Sequence, residues 1–90
     1  MKPLPSFIPG REQVELRAGL SIHSVAELGA ALRAERKALR LTQADLALAA
    51  GVGLRFVVEL EAGKPTVQLM RVLRVIDALG GTLQLCGHGL

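Results

Sequence analysis

Basic side chains cluster in one part of this chain, and such a cluster is typical of contact with a polyanion. Four of the 11 Lys and Arg residues fall between positions 33 and 40, and the chain carries a net charge of +3. They are Arg33, Arg36, Lys37 and Arg40. Guanidinium and ammonium groups neutralise phosphate oxygens, which is the chemistry that this cluster could perform. Alternatively, the same residues complement a helix dipole and pair with nearby Glu residues on a solvated face.

Other kinds of chemistry have little support in the residue types. His23, His88 and Cys86 are the only soft metal ligands, and they show no repeated metal-binding spacing. No nucleophile lies beside a recognisable base, so we expect no catalytic residues and predict that the protein is not an enzyme. We also expect no bound metal and no cofactor. A single cysteine excludes an internal disulfide, and no apolar run reaches the roughly 18 residues of a membrane span. The composition predicts a cytoplasmic protein that does not contact membranes.

The chain divides into an arm, one small domain and a short tail. Residues 1–23 hold three of the four prolines and are predicted to be a partly ordered arm, in which Val14–Arg17 alternates like a short strand. Residues 24–80 carry the helical pattern. Residues 81–90 form the tail, and the alternation over Thr82–Cys86 predicts a strand that needs a partner, either a symmetry mate or Val14–Arg17.

Four helices are predicted from apolar periodicity and from residues that begin or end helices. They run from Ser24 to about Arg40, from Thr42 to Ala50, from Leu54 to Ala62 and from Val67 to Leu79. Ser24 and Glu27 form a capping box at the first helix, and Thr66 is predicted to cap the fourth. Gly51 and Gly63 end the second and third helices.

The second and third predicted helices are short, and a tight glycine-containing turn joins them. Two such helices cross steeply, as in a helix-turn-helix. The sequence here resembles the Cro/repressor (Xre-type) helix-turn-helix family. The residues that carry the resemblance are Leu41-Thr42-Gln43, Leu46-Ala47, Ala50-Gly51-Val52, Val57, Leu60-Glu61 and Gly63-Lys64. The resemblance covers about residues 24–79. It implies an all-α, lambda-repressor-like domain of four to five helices.

The end of the domain is similar to HipB-like antitoxins in particular. Two stretches carry this similarity, Glu61–Val67 and Leu73–Leu85. That resemblance implies a short C-terminal β-strand paired across a homodimer. It also implies a HipA-like serine/threonine kinase toxin as a partner. A dimer would present two recognition helices roughly 34 Å apart to a palindromic operator in double-stranded DNA.

The resemblance also implies which side chains meet DNA. Bases are expected to be contacted by Leu54, Arg55, Phe56 and Glu59. Phosphates are expected to be contacted by Arg36, Arg40, Thr42, Gln43 and Lys64. Arg55, in the first turn of the recognition helix, can donate to O6 and N7 of guanine together. Gln43 lies at a helix N-terminus, where free N–H groups and its amide could hold a phosphate or brace a base contact.

Several of these residues have more than one interpretation. Leu54 and Phe56 depart from the polar pattern of the family; they could meet thymine methyls, pack against a neighbour, or indicate weakened DNA reading. Glu59 could accept a hydrogen bond from cytosine N4 or repel a misplaced phosphate. Gly53 stands where the family often has a capping serine. Glu61 is predicted to be structural, as the ion-pair partner of an arginine in the first helix.

The fourth predicted helix is apolar around most of its circumference, so it must be buried on more than one side. Self-association would bury the second side. The predicted dimer interface contains Val72, Val75, Ile76, Leu79, Leu83 and Leu85. The alternative is that this helix covers a larger core within a monomer.

Together these features predict a homodimeric, sequence-specific DNA-binding repressor. The HipB-like resemblance implies the antitoxin of a HipA-like kinase module, which represses its own operon and neutralises the kinase. One alternative is a solitary Xre-type or phage-like regulator without a toxin. Another is a protein-interaction module that has kept the fold and lost specific DNA binding.

Overall fold

The computed structural model describes residues 19–87, and the chain forms four α-helices in this range. They are α1 (Val25–Ala38), α2 (Gln43–Ala50), α3 (Leu54–Glu61) and α4 (Leu69–Ala78). The all-α prediction is therefore confirmed. The predicted strand Val14–Arg17 lies outside the described residues, as do residues 1–18 and 88–90 as a whole. Across positions 19–87, no helix combines the length and apolar character needed to cross a membrane.

Helix α1 begins after Ser24 as predicted, but only the Ser24 half of the predicted capping box forms. The Ser24 hydroxyl accepts a hydrogen bond from the backbone N–H of Glu27 at 3.1 Å, and the Glu27 carboxylate accepts one from the backbone N–H of His23. The helix ends at Ala38, two residues before the predicted end at Arg40. The chain leaves the helix there because Arg40 takes a left-handed conformation, with φ of 61°.

Local signals also set the bounds of α2 and α3. Thr42 and Asp45 form a complete capping box, in which each backbone N–H donates to the side chain of the other residue. Gly51, with φ of 70°, ends α2 in the left-handed region as predicted. Gly53 is the N-cap of α3 and makes no side-chain capping hydrogen bond, as expected where glycine replaces the serine that the family often has. Helix α3 ends one residue earlier than predicted, at Glu61.

The predicted start of α4 is wrong. The helix begins at Leu69, and its N-cap is Gln68, which makes no side-chain capping hydrogen bond. Thr66 is therefore not a cap. Val67 precedes the helix in extended chain and packs against the core, so the segment before α4 is used to bury Val67 rather than to begin a helix.

The core lies between all four helices and is built from aliphatic side chains. Its buried members are Leu32, Leu46, Ala47, Val57, Leu60, Val72, Val75 and Ile76. Helices α1 and α3 approach most closely at Gly29, where an added Cβ would lie 2.2 Å from the carbonyl oxygen of Leu60. The glycine at this position is what lets the two backbones approach so closely, and this contact fixes α3 against α1.

Part of the predicted dimer interface belongs instead to the core of the single chain. Val72, Val75 and Ile76 are buried by the protomer's own helices, so they are not available to a partner, and we correct their assignment. Helix α4 presents other apolar residues to solvent, namely Leu69, Met70 and Leu73. Residues 81–87 have no regular secondary structure in the single chain. The predicted pairing of Thr82–Cys86 requires a partner strand and stays a prediction.

Candidate nucleic-acid interface

Helix α3 turns one face away from the core, and four residues make up this reading face: Leu54, Arg55, Val58 and Glu59. The Arg55 side chain is 91% exposed, and Leu54 and Val58 are 49% and 42% exposed. Val58 was not among the predicted contacts. The sequence does contain a signal for Val58: it lies three residues after Arg55 and four after Leu54, and residues at these spacings share one side of a helix. The reading face therefore combines a guanidinium with apolar surface.

Glu59 joins two of the predicted DNA-contacting cations. Its Oε2 atom accepts a hydrogen bond from Arg55 Nε at 3.2 Å, and its Oε1 atom accepts one from Lys64 Nζ at 3.3 Å. The hydrogen bond from Lys64, followed by that from Arg55, holds the pKa of Glu59 below its ordinary value. Glu59 is therefore ionised near neutral pH, and it ties the first turn of α3 to the loop that follows the helix.

Phe56 does not belong to the reading face. Its side chain is partly buried and packs against the hydrophobic core. The guanidinium carbon of Arg71, on α4, lies 5.9 Å from the centre of the Phe56 ring, within the range of a cation–π contact. Of the interpretations of Phe56, packing against a neighbour agrees with the structure, and its assignment as a base contact is corrected.

Arg36 has a structural role rather than the predicted contact with phosphate. Its Nε and Nη2 atoms donate to Glu61 at 2.7 and 3.0 Å, and its Nη1 atom donates to the carbonyl oxygen of Leu41 at 2.7 Å. The Arg36 and Glu61 side chains are only 9% and 3% exposed. The hydrogen bond with Glu61 raises the pKa of Arg36 despite its burial. This confirms that Glu61 pairs with an arginine of α1, and it removes Arg36 from the surface.

Gln43 is attached to the same ion pair. Its Nε2 atom donates to Glu61 Oε1 at 3.0 Å, which directs the first residue of α2 toward α3. Burial alone would raise the pKa of Glu61, but hydrogen bonds from Arg36 and Gln43 and the charge of Arg36 lower it overall. The Gln43 amide is therefore a brace within the protein.

Thr42 and Arg40 lie on the exposed chain between α1 and α2. The Thr42 hydroxyl oxygen accepts a hydrogen bond from the backbone N–H of Asp45 at 3.0 Å. Hydrogen bonds from Thr42 lower the pKa of Asp45. Arg40 is exposed, as are Arg33 and Lys37. Within residues 19–87 none of these three cations has an ion-pair partner, so their charges face solvent.

Potential metal ligands are scattered over the described residues. Within residues 19–87, no three His, Cys, Asp or Glu side chains are grouped so that they could hold a metal ion. What the surface does contain is a short, outward-facing helix with an exposed arginine, flanked by exposed cations at the end of α1 and in the loop after α3. Such a surface can donate hydrogen bonds to base edges and neutralise neighbouring phosphates.

Comparisons with known proteins agree with this geometry. The helix-turn-helix family model HTH_3 matches residues 32–85. An uncharacterised HTH-type transcriptional regulator, y4mF of Sinorhizobium fredii (strain NBRC 101917 / NGR234), is 48% identical over 68 residues, which cover 76% of this chain and 90% of that protein.

Two similar solved structures are a HipB–O4 20mer complex and a HipA–HipB–O2–O3 complex. Each matches with a TM-score of 0.71 and 22% sequence identity, over 77% of this chain and 97% of the other. These structures share the fold. Because the family model and the bacterial relative both cover the helices that form the reading face and its flanks, the chain belongs to the helix-turn-helix family of transcriptional regulators.

Proposed function

We propose that this protein is a sequence-specific DNA-binding repressor, in which α3 enters the major groove. The observation that carries the proposal is the Arg55 side chain, 91% exposed on the outward face of α3. Arg55 reads a base, while Arg40, Thr42 and Lys64 contact the phosphates on either side. The N-terminal residues of a recognition helix are those that reach base edges in this geometry.

Fluorescence anisotropy tests the proposal directly. The DNA upstream of the gene is titrated with protein beside a scrambled duplex, at two salt concentrations. Arg55→Ala should lose about 1–3 kcal/mol on the specific duplex and little on the scrambled one. Lys64→Ala is the contrasting variant, because loss of a phosphate contact should weaken binding to both duplexes alike. Equal weakening of both duplexes by Arg55→Ala would contradict base reading.

The proposed repressor is a homodimer that binds a palindromic operator. Apolar side chains that the single chain leaves exposed support this: Leu69, Met70 and Leu73 on α4, and Leu83 and Leu85 beyond it. A groove of about 460 Å³ also lies between residues 19–22 and 81–86, over α1 and the end of α4. Patches of this kind on a small domain commonly mark an interface.

Sedimentation equilibrium measures the dimer. Leu83→Asp combined with Leu85→Asp should shift the protein toward monomer and weaken operator binding. Leu48→Asp is the control, because Leu48 is 85% exposed on α2, outside the proposed interface. A double variant that remains dimeric would place the interface elsewhere.

We further propose that the protein is a cytoplasmic antitoxin that represses its own operon and binds a HipA-like kinase. The support is the shared fold with HipB, which has been solved together with HipA. The test is co-purification with the product of a neighbouring kinase gene and rescue of growth when that gene is expressed. If no kinase gene lies nearby and none co-purifies, the solitary regulator is the better description.

The second candidate function is a protein-interaction module that has lost specific DNA binding. The exposed Leu54 and Val58 on the reading face favour it, because apolar residues there also suit a protein groove. Weak, equal binding to specific and scrambled duplexes in the anisotropy experiment would support this candidate over the repressor.

A further inference from the structure

We propose that Glu59 is a positioning residue that holds Arg55 for end-on recognition of guanine. The inference rests on the proposed DNA-binding function and adds to it the base that is read. In this view Glu59 does not itself contact a base. Its contribution to specificity is exerted through the orientation of the Arg55 guanidinium.

The argument begins with the atom of Arg55 that Glu59 engages. The hydrogen bond runs from Arg55 Nε to Glu59 Oε2, and within residues 19–87 the two Nη groups of Arg55 have no partner. A guanidinium held by its Nε presents both Nη groups at its far end. Two parallel N–H donors of this kind match the O6 and N7 acceptors of guanine.

Glu59 is itself fixed on its other side. Lys64 Nζ donates to Glu59 Oε1 at 3.3 Å, and the Glu59 side chain is 30% exposed, well below the 91% of Arg55. An ammonium has three donors, so Lys64 keeps two for a phosphate. Contact of Lys64 with the DNA backbone would therefore leave Glu59 in place. The base contact and the backbone contact are coupled through one carboxylate.

The neighbours of Arg55 on the reading face indicate what lies beside the guanine. Leu54 and Val58 are exposed apolar side chains next to Arg55 along the helix. Apolar contacts in the major groove favour the C5 methyl group of thymine. The half-site is therefore expected to contain a guanine adjacent to a thymine.

The experiment is a set of binding titrations that vary both protein and base. The preferred site is first selected from a randomised duplex library with the wild-type protein. Each guanine of that site is then replaced by 7-deazaguanine, which lacks the N7 acceptor, or by hypoxanthine, which keeps O6 and N7 as the matched control. The proteins compared are wild type, Glu59→Gln, Glu59→Asp and Asp77→Asn, with circular dichroism to confirm that each is folded. Asp77 is an exposed acid on α4, outside the reading face.

Wild-type protein should bind about tenfold more weakly when one guanine becomes 7-deazaguanine, and hypoxanthine should change little. In Glu59→Gln and Glu59→Asp that penalty should fall to about threefold or less. The glutamine amide offers one neutral acceptor oxygen where Arg55 and Lys64 need two, and the aspartate side chain is one methylene shorter. Glu59→Gln should also bind scrambled DNA more tightly, since a negative charge near phosphates is removed. Asp77→Asn should keep the full penalty.

Two results would overturn the positioning role. One is an unchanged 7-deazaguanine penalty in both Glu59 variants. The other is a loss of discrimination at a cytosine instead, which would make Glu59 a base contact. Specific binding by the wild type with no guanine sensitive to 7-deazaguanine would reject the Arg55–guanine contact and leave the repressor intact. A library that yields no preferred site would reject the proposed function itself.

Discussion

Removal of the Glu61 carboxylate should destabilise the protein far more than removal of the whole Arg36–Glu61 pair. In Glu61→Leu the Arg36 guanidinium, which is 9% exposed, loses both of its carboxylate acceptors. Breaking a buried ion pair by removing one partner costs about 3–5 kcal/mol, a large part of the ~5–15 kcal/mol that stabilises a typical domain. The double variant Arg36→Met with Glu61→Leu replaces the pair by apolar side chains and should cost much less.

The pH dependence distinguishes the two halves of the pair. In the wild type the pKa of Glu61 is depressed below its ordinary value of 4.5. Its contribution to stability is therefore present above pH 4.5 and is lost as the pH falls below that value. In Arg36→Met the main cation is gone, and burial should raise the pKa of Glu61 above the unfolded value. That variant should gain stability relative to wild type as the pH falls from 7 toward 5.

Urea unfolding followed by circular dichroism measures these differences. All variants are compared at one fixed protein concentration, because the proposed dimerisation would make stability depend on concentration. At an m value of about 1–2 kcal/mol/M, Glu61→Leu should lower the midpoint by about 2 M or more. The reasoning would be refuted if Glu61→Leu and the double variant were equally destabilised. Parallel pH profiles for wild type and Arg36→Met would refute it as well.

Three further predictions concern single positions. Arg40→Gly should raise stability by about 0.5–1 kcal/mol in thermal melts, because Arg40 has φ of 61°, a left-handed conformation that favours glycine. The same variant should weaken DNA binding in anisotropy titrations. A lower melting temperature or an unchanged affinity would contradict this prediction. Gly29→Ala should cost about 1–3 kcal/mol in urea unfolding, because its Cβ would lie 2.2 Å from the Leu60 carbonyl oxygen, and a neutral effect would show that α1 and α3 can separate freely. Lys64→Ala should weaken binding to all duplexes and reduce the salt slope by about 0.9, whereas an unchanged slope would argue against a phosphate contact.

The helix-turn-helix itself could be predicted from the sequence, because its signals are local. Thr42 with Asp45 at the start of α2, and the left-handed Gly51 at its end, act over a few residues and do not depend on the rest of the chain. The same reasoning located the Ser24 cap of α1. It failed at Thr66, where burial of Val67 against the core took precedence over a local capping preference.

The roles of individual side chains on these helices needed the tertiary structure. Arg36 and Arg40 are alike in sequence as cations near the end of α1, and only the position of Glu61 on a distant helix places Arg36 inside and leaves Arg40 outside. Phe56 and Val58 are both apolar residues of α3, and the packing of α3 against the core decides that Phe56 turns inward while Val58 faces solvent.

The predicted dimer interface was likewise partly wrong, because residue types show that a helix is apolar but not which of its sides the protomer buries. The apolar character of α4 follows from its residue types alone. The sequence therefore determined that packing against the protomer's own core would leave some apolar residues of this helix exposed. Which side the protomer itself covers was decided by the packing of Val72, Val75 and Ile76 into the core, which leaves Leu69, Met70 and Leu73 exposed. Local hydrogen bonds and backbone preferences are encoded within a few residues, so the sequence determined where α1, α2 and α3 begin. Burial depends on which distant helix covers a face, so only the tertiary structure decided which side chains are available for function.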